Sequence, residues 1–362
     1  MENKQSKHLQ LYRAIKQSIA SGTYKSNEKL PSEMELMQQT GFSRQTVRKA
    51  LDRLSVEGLI SKRQGMGSVV AAKRNQQHVC SRQVLLLVHY PEHSYFPKYI
   101  SGIDRVLQAG GYSLSIKFSH NRLEDEAMQL TEAFERDYCG ILLFPAQSAY
   151  LHEKLYLYKH LETGRIPCVL LCNPVLDTGL PVVTVDDYLG GYLAGRHLCA
   201  LGHANIACFV NSDEHSARMR YAGFIAALQD GGVSYDDNGT VWFRYVTREE
   251  VFKEPQRSGL IHKLEGRTAA FCYNDDMALR LLHFQEDRGM RIPEDFSIVG
   301  YDDSYPQMLT KIGLTTVRQN PEEIGETAAR NLLVCMQRDD FDANRVFKPE
   351  LIVRESTSKP VG

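Results

Sequence analysis

Apolar residues at helical spacing mark two stretches near the start of the chain. The first stretch repeats every four residues and the second spaces its apolar residues three and four apart: Leu11, Ile15 and Ile19, then Val47, Ala50, Leu51 and Leu54. Residues at this spacing share one face of an α-helix. Both stretches are therefore predicted to be helices that bury one face in a core.

The segment between these stretches carries the signals of another helix and a tight turn. Ser32 and Glu35 have the spacing of a capping box, in which each side chain satisfies an amide at a helix start. Gly41 can adopt the positive φ that a turn between helices requires, and Ser43 is placed to cap the next helix. Three helices are therefore predicted, with a tight turn between the second and the third.

A glycine-rich hairpin is predicted after the third helix. Residues 59–62 and 68–71 resemble short strands, and they flank the sequence Gln-Gly-Met-Gly. Three helices followed by a β-hairpin form a winged helix-turn-helix. In such a fold the polar start of the third helix meets base edges in the major groove, and the hairpin lies along phosphates or the minor groove.

Beyond residue 83, short apolar runs alternate with amphipathic stretches. One of these amphipathic stretches is predicted to form a helix over 148–159. The runs are VLLLVH, YSLSIKF, GILLF, CVLLC, VVTV, IACFV, TAAFCY and SIVGYDD. This alternation is typical of parallel sheets covered by helices. The segment is too long for one sheet, so an α/β fold with two subdomains is predicted, with a ligand cleft between them at the carboxyl ends of the strands.

Charge divides the chain in the same way. Residues 1–75 contain 14 Lys and Arg against 6 Asp and Glu, a balance of +8, whereas the remainder has a balance of −9. A basic head on an acidic body indicates a polyanionic partner for the head, although a merely solvated basic surface would have the same charge. The polar stretch 73–83 is predicted to link a DNA-binding domain, 1–72, to an effector domain, 84–362.

Other classes of protein receive little support. No apolar run approaches the ~18 residues of a membrane helix, and the N-terminus lacks a signal-peptide core, so a cytoplasmic protein is expected. Its eight cysteines are scattered and are expected to be reduced. Since no metal-ligand, Walker or nucleophile-elbow motif is present, no metal, cofactor or enzymatic activity is expected.

Polar and aromatic side chains follow several predicted strands. They are His93, Tyr95 and Phe96 after the first strand, and Asp186, Asp187, Asn274, Asp275, Asp276, Asp302 and Asp303 after later ones. Carboxylates and amides can bind vicinal hydroxyls, and an aromatic ring can cover a sugar face. Asp and Asn at these positions are also ordinary helix caps, so ligand binding and capping both remain open.

The head resembles the gluconate-repressor (GntR) type of winged helix over about residues 8–72. The resemblance is carried by GTYKSNEKLPSEMELMQQTGFSRQTVRKALDRLSVEGLISKRQGMGSVV. It implies contacts to bases or phosphates from the third helix, with the wing tip beside the minor groove. The candidate DNA-binding residues are Ser32, Glu33, Arg44, Gln45, Thr46, Arg48, Lys49, Lys62, Arg63, Gly65 and Gly67.

The body, from about 84 to 355, resembles the effector domain of the lactose/galactose repressor family, which is similar to periplasmic sugar-binding proteins. The resemblance is carried by DDYLGGYLAGRHLCALGHANIACFV, SARMRYAGFIAAL, NDDMALRLL, RIPEDFSIVGYDD and LTTVRQNPEEIGETAARNLL. It implies that Arg220 and Asp302 hold the effector's hydroxyls and that Asn274 and Gln319 add hydrogen bonds. His93, Tyr95 and Phe96 would stand at the opposite lip of the cleft. The usual helix-turn-helix and hinge helix of this family are replaced by the winged head.

The joining of these two parts resembles the arabinose repressors of Gram-positive bacteria. The resemblance implies a homodimeric repressor that binds a palindromic DNA operator and is released by a sugar, with L-arabinose or a related pentose as the expected effector. Another sugar or sugar derivative, acting as inducer or corepressor, is the alternative. A transport-type sugar-binding protein and an α/β enzyme are less favoured, because neither accounts for the basic head.

Overall fold

The computed structural model describes most of the chain: residues 7–20, 23–25, 28–56, 59–63, 67–70, 82–90, 95–150, 153–164, 166–235, 237–304, 311–338 and 340–360. The chain forms two compact units, Met1–Cys80 and Ser81–Gly362. They are called the head and the body below. Within these described ranges, no helix has both the length and the apolar character needed to span a bilayer.

The head contains the predicted three helices and hairpin. These elements are α1 (Lys7–Ala20), α2 (Glu33–Thr40), α3 (Arg44–Val56), β1 (Ile60–Arg63) and β2 (Gly67–Val70). β1 and β2 pair antiparallel, each within one residue of its predicted bounds. The residues predicted to face a core are buried: Leu11, Ile15, Ile19, Val47, Ala50, Leu51 and Leu54.

Local hydrogen bonds fix the start of α2 and the turn between α2 and α3. The Glu35 amide donates to Ser32 Oγ at 3.2 Å, and the Ser32 amide donates to the Glu35 carboxylate at 2.7 Å, which confirms the capping box. Gly41 ends α2 with a φ of 66°, and Ser43 Oγ accepts from the Thr46 amide at the start of α3. The turn that orients α3 is therefore specified by nearby residues.

The first subdomain of the body begins with alternating strands and helices. They are β3 (Gln83–Val88), α4 (Phe96–Ala109), β4 (Ser113–Phe118), α5 (Leu123–Glu135), β5 (Gly140–Leu143), α6 (Leu155–Thr163), β6 (Cys168–Leu171) and β7 (Val182–Val185). The strands form a parallel sheet in the order β7-β6-β5-β3-β4. The helix predicted over 148–159 begins later, at Leu155, because residues 146–150 form turns instead.

The second subdomain repeats this architecture. Its elements are α7 (Asp187–Leu201), β8 (Ile206–Asn211), α8 (His215–Asp230), β9 (Thr240–Phe243), α9 (Arg248–Lys253), α10 (Leu260–Leu264), β10 (Ala269–Cys272), α11 (Asp275–Asp287), β11 (Ser297–Asp302) and β12 (Thr315–Arg318). The strands lie parallel in the order β12-β11-β10-β8-β9. Two α/β subdomains are thus confirmed.

The chain passes between the subdomains more than once, which the sequence pattern did not predict. The last elements are α12 (Pro321–Cys335), β13 (Arg345–Phe347) and β14 (Glu350–Ile352). α12 packs on α4, and β13 adds a parallel strand beside β7 in the first sheet. β14 returns to the second sheet, antiparallel to β12. Three connections, at residues 186, 319–320 and 348–349, therefore join the subdomains beside the cleft.

Candidate functional site

The start of α3 presents an exposed polar surface. Gln45, Arg48 and Lys49 are exposed, whereas Thr46 is half-buried. The Arg44 side chain is 75% exposed, and its Nε lies 3.1 Å from Glu33 Oε2. The carboxylate therefore orients a guanidinium that still faces solvent, where it can contact a phosphate or a guanine edge.

The other predicted DNA-binding residues lie before α2, in the hairpin, or outside the described residues. The Ser32 hydroxyl is exposed, although it also accepts the cap hydrogen bond of α2. Lys62 and Arg63 lie in β1, opposite Ser68 and Gly67 of β2, and Gly67 has a φ of 82°. Gly65 lies outside the described residues.

A cavity in the body lies where the strands of both sheets end. It encloses about 350 Å³ of empty space, part of it open to solvent. Its lining comes from both subdomains: His89, Tyr95, Cys172, Asn173, Glu214, Ser216, Arg220, Tyr273, Asn274, Asp302 and Gln319.

Arg220 is the buried cation of this cavity. Its Nε donates to Asp187 Oδ1 at 2.8 Å, and its Nη1 donates to the Tyr273 carbonyl at 2.6 Å. Nη1 also lies 3.5 Å from Asp302 Oδ1, and the guanidinium carbon lies 3.6 Å from the centre of the Tyr301 ring. The guanidinium plane is therefore fixed before any ligand enters.

The charges around Arg220 are largely balanced by the protein itself. Burial by itself lowers the pKa of the Arg220 guanidinium. The nearby Asp187 and Asp302 outweigh this effect and raise the pKa, so the group stays cationic. Burial raises the pKa of Asp302 well above its usual range, against the opposing effect of Arg220. Since the cation is already paired, the cavity suits a ligand that offers hydroxyl groups rather than an additional charge.

Two glycines bring α7 and α8 into backbone contact beside Arg220. A Cβ atom on Gly191 would lie 1.8 Å from the Arg220 carbonyl oxygen, and one on Gly223 would lie 1.9 Å from the Tyr188 carbonyl oxygen. No side chain fits at either position unless the helices separate. The close approach places Arg220 of α8 within hydrogen-bond distance of Asp187, at the start of α7.

Gln319, Tyr95 and Asn274, which were also predicted to contact the ligand, line the cavity. Gln319 Nε2 donates to Asp302 Oδ1 at 2.6 Å, and Tyr95 lines the cavity. Asn274 also lines it, while its Oδ1 accepts from the Met277 amide at the start of α11, so the side chain both caps and faces the cavity. The two alternatives for Asn274 are therefore compatible.

Phe96 does not line the cavity. Phe96 is only 2% exposed and packs against His89 and Phe144 in the core of the first subdomain, so it does not line the cavity as the resemblance implied. Tyr95, its neighbour, takes that position. His93 lies outside the described residues.

Glu214 and Asn173 are cavity residues that the sequence analysis missed. Glu214 is buried at the N-cap of α8, and its Oε1 accepts from Asn211 Nδ2 at 2.8 Å. Burial raises the pKa of Glu214 to about 7, while Arg220 acts to lower it. Both residues follow buried strands, β8 and β6, so the rule that found Asn274 and Asp302 could have found them.

No cluster of three or more His, Cys, Asp or Glu side chains in the described ranges is arranged to hold a metal ion. Asp303 turns away from Asp302 and instead pairs with Arg318 and Arg354 at 2.7 Å each. Asp302 and Asp303 therefore have separate partners and are not arranged as a facing pair of carboxyl groups.

Two families of known proteins match separate parts of the chain. The family described as bacterial regulatory proteins, gntR family, matches residues 7–70. The periplasmic binding protein-like domain matches residues 196–357. The first match covers the winged helix, and the second covers α8, β8–β12 and thus most of the cavity wall in the second subdomain.

Individual relatives extend over the whole chain. An arabinose metabolism transcriptional repressor of Geobacillus stearothermophilus is 34% identical and covers 98% of each chain. A repressor of the same description from Halalkalibacterium halodurans is 30% identical and covers 95% of each. A LacI family transcriptional regulator from Enterococcus faecium, solved with bound ribose, is 25% identical with a TM-score of 0.64, covering 76% of this chain and 99% of its own. The chain therefore belongs to the family of arabinose metabolism transcriptional repressors, sugar-responsive DNA-binding proteins that join a GntR-type winged helix to a LacI-type effector domain.

Proposed function

We propose that the protein represses genes for the use of L-arabinose and that L-arabinose releases it from its operator. The head binds the operator, the body binds the sugar, and the protein acts in the cytoplasm as a regulator rather than as an enzyme. The names of the two full-length relatives support arabinose metabolism as the regulated process.

The observation that carries the proposal is the hydrogen-bonding pattern around Arg220. The guanidinium is paired with Asp187 and Asp302, and amide side chains of Asn173 and Gln319 lie nearby in the same cavity. Neighbouring hydroxyls of a pentose both donate and accept hydrogen bonds, so they match carboxylate acceptors beside guanidinium and amide donors. A phosphorylated sugar would add negative charge next to three buried carboxyl groups and would be disfavoured.

Residues on the exposed polar face of α3 would read the operator. We expect Arg44, Gln45 and Arg48 to contact base edges and Lys49 to contact the phosphate backbone. We further propose that the protein is a homodimer and that its operator is palindromic, because a two-fold protein presents two identical heads to two identical half-sites.

Isothermal titration calorimetry of the full chain tests the effector. L-arabinose is expected to bind. D-xylose, D-ribose, D-galactose and L-arabinose 5-phosphate are titrated separately for comparison. Tight binding of another sugar together with no heat from L-arabinose would assign the cavity to that sugar. No binding of any of them would refute the proposed effector class.

Operator release is tested by fluorescence anisotropy on DNA fragments from upstream of genes for the use of L-arabinose. L-arabinose is expected to lower operator affinity, since a ligand shifts the equilibrium only toward the state that it binds better. An increase in operator affinity would instead make the sugar a corepressor.

A further inference from the structure

The first turn of α8 is capped from the opposite side of the cleft. The N-cap residue of α8, Glu214, makes no side-chain cap hydrogen bond within the described residues. Instead, the His215 amide donates to Ser148 Oγ at 3.1 Å, and the Ser216 amide donates to Asn173 Oδ1 at 2.8 Å. The start of a helix leaves its first amides without partners in the helix, and here the first subdomain supplies them.

Backbone contacts from the same loop extend this bridge. The Ala149 amide donates to the Asp213 carbonyl at 3.1 Å, and Arg218 Nη1 donates to the Ala149 carbonyl at 3.0 Å. Ser148 is only 1% exposed but does not line the cavity. Its hydroxyl therefore bonds to the second subdomain without lying where a ligand in the cavity would contact it.

The loop that carries Ser148, residues 144–150, is held by buried polar side chains. The Ala146 amide donates to Glu126 Oε2 at 2.6 Å, and the Gln147 amide donates to Asn121 Oδ1 at 2.7 Å. Gln147 has a φ of 45°, which costs a non-glycine residue free energy unless its surroundings compensate. Two buried polar side chains thus fix a strained loop, which suits a loop that must present one atom accurately.

We propose that Ser148 is a positioning residue for effector binding, holding the start of α8 across the cleft so that the α8 side chains converge on the bound sugar. The inference rests on the proposed function, because it assumes that the cavity binds L-arabinose. Ser216 and Arg220, one helical turn apart, both line the cavity from α8. A helix is rigid over this length, so the hydrogen bond to the His215 amide fixes the position of both side chains.

A positioning role for Ser148 can be recognised from the rates at which the sugar binds and dissociates. The bridge joins the two subdomains, so opening the cleft to release the sugar must break it. Loss of the Ser148 hydroxyl should therefore speed dissociation of the sugar and leave its association unchanged.

Stopped-flow fluorescence with L-arabinose on the full-length Ser148→Ala variant tests the proposal. The dissociation rate and the Kd are expected to rise by about three- to tenfold, the effect of losing one neutral hydrogen bond. Ser212→Ala is the matched control, because its hydroxyl donates to the Phe243 carbonyl at 3.1 Å within one subdomain. The control is expected to keep the wild-type dissociation rate.

Three outcomes would overturn the proposal, and they are distinguishable. An unchanged dissociation rate in Ser148→Ala, with wild-type binding intact, would refute the role of Ser148 alone. A slower association together with a lower unfolding midpoint without sugar would show that Ser148 only stabilises its own loop. Absence of L-arabinose binding to the wild-type protein would refute the proposed function and this role with it.

Discussion

Replacing Arg220 by alanine should cost both stability and sugar response. The side chains of Arg220 and Asp187 are each 8% exposed, and that of Asp302 is 3% exposed, so the substitution leaves two carboxylates in a buried site without their cation. Breaking a buried ion pair by removing one partner costs about 3–5 kcal/mol. That is a large part of the roughly 5–15 kcal/mol by which a folded domain is stable.

Denaturant unfolding of the full chain, followed by tryptophan fluorescence, measures this cost. The double variant Arg220→Ala/Asp302→Asn should be more stable than Arg220→Ala alone, because it removes one of the carboxylates that have lost their cation. The asparagine of the second substitution would keep an oxygen at the position of Asp302 Oδ1, so Gln319 Nε2 can still donate a hydrogen bond to it. With Asp302→Asn measured as well, the wild type and the three variants give the coupling free energy between Arg220 and Asp302, which is expected to exceed about 1 kcal/mol for residues in contact.

The pH dependence of Arg220→Ala has a definite sign. The pKa of Asp302 is raised by burial, and loss of the guanidinium removes the effect that opposes this rise. An acid with a raised folded-state pKa stabilises the fold below its unfolded pKa and loses that contribution as pH rises. The stability deficit of Arg220→Ala should therefore shrink as the pH falls from 8 to 5.

The same variant should still bind the operator, because the head folds around its own core, but L-arabinose should no longer release it. A deficit below about 1 kcal/mol, with no improvement in the double variant, would refute the reasoning that Arg220 neutralises buried carboxylates.

Three further predictions concern other parts of the chain. Arg44→Ala should weaken operator binding and lower its salt dependence in anisotropy titrations, yet change stability by less than about 1 kcal/mol, because its ion pair with Glu33 is exposed. Gly191→Ala should force α7 and α8 apart, lowering stability by about 1–3 kcal/mol or more and weakening L-arabinose binding by calorimetry. Burial raises the pKa of Glu126 to about 7, so the wild type should lose up to about 3 kcal/mol of stability relative to Glu126→Gln as the pH rises from 5 to 8, measured by chemical denaturation.

Most helices and strands could be predicted because their apolar spacing reflects a buried face. The apolar positions of α3 are buried. The strands β3–β8, β10 and β11 coincide with the predicted apolar runs, whereas β9, β12, β13 and β14 lie outside them. A helix was also predicted over 148–159, but residues 148–150 form a turn and α6 begins only at Leu155. The loop there is held by Asn121 and Glu126, which are distant in sequence, so no local pattern reveals it.

The cavity was predictable in part, because the carboxyl ends of parallel strands meet at one edge of a sheet. That rule correctly placed Asn274 and Asp302 at the cavity. It could not distinguish Tyr95 from Phe96, which are adjacent in sequence, because the helix that begins there turns one ring to the cavity and the other to the core. Which of two neighbouring aromatic residues faces a ligand depends on the helix phase, and that phase is set by packing.

The approach of α7 to α8 shows why the rest required a structure. Gly191 and Gly223 are needed because each faces a backbone carbonyl of the other helix, and those carbonyls lie about 30 residues away in the chain. A glycine in a helix is unfavourable by itself, so its presence signals a close contact but does not name the partner. Once the partner is known to be the carbonyl of Arg220, the glycine becomes part of the effector site, because the helix separation it permits sets the distance between Arg220 and Asp187.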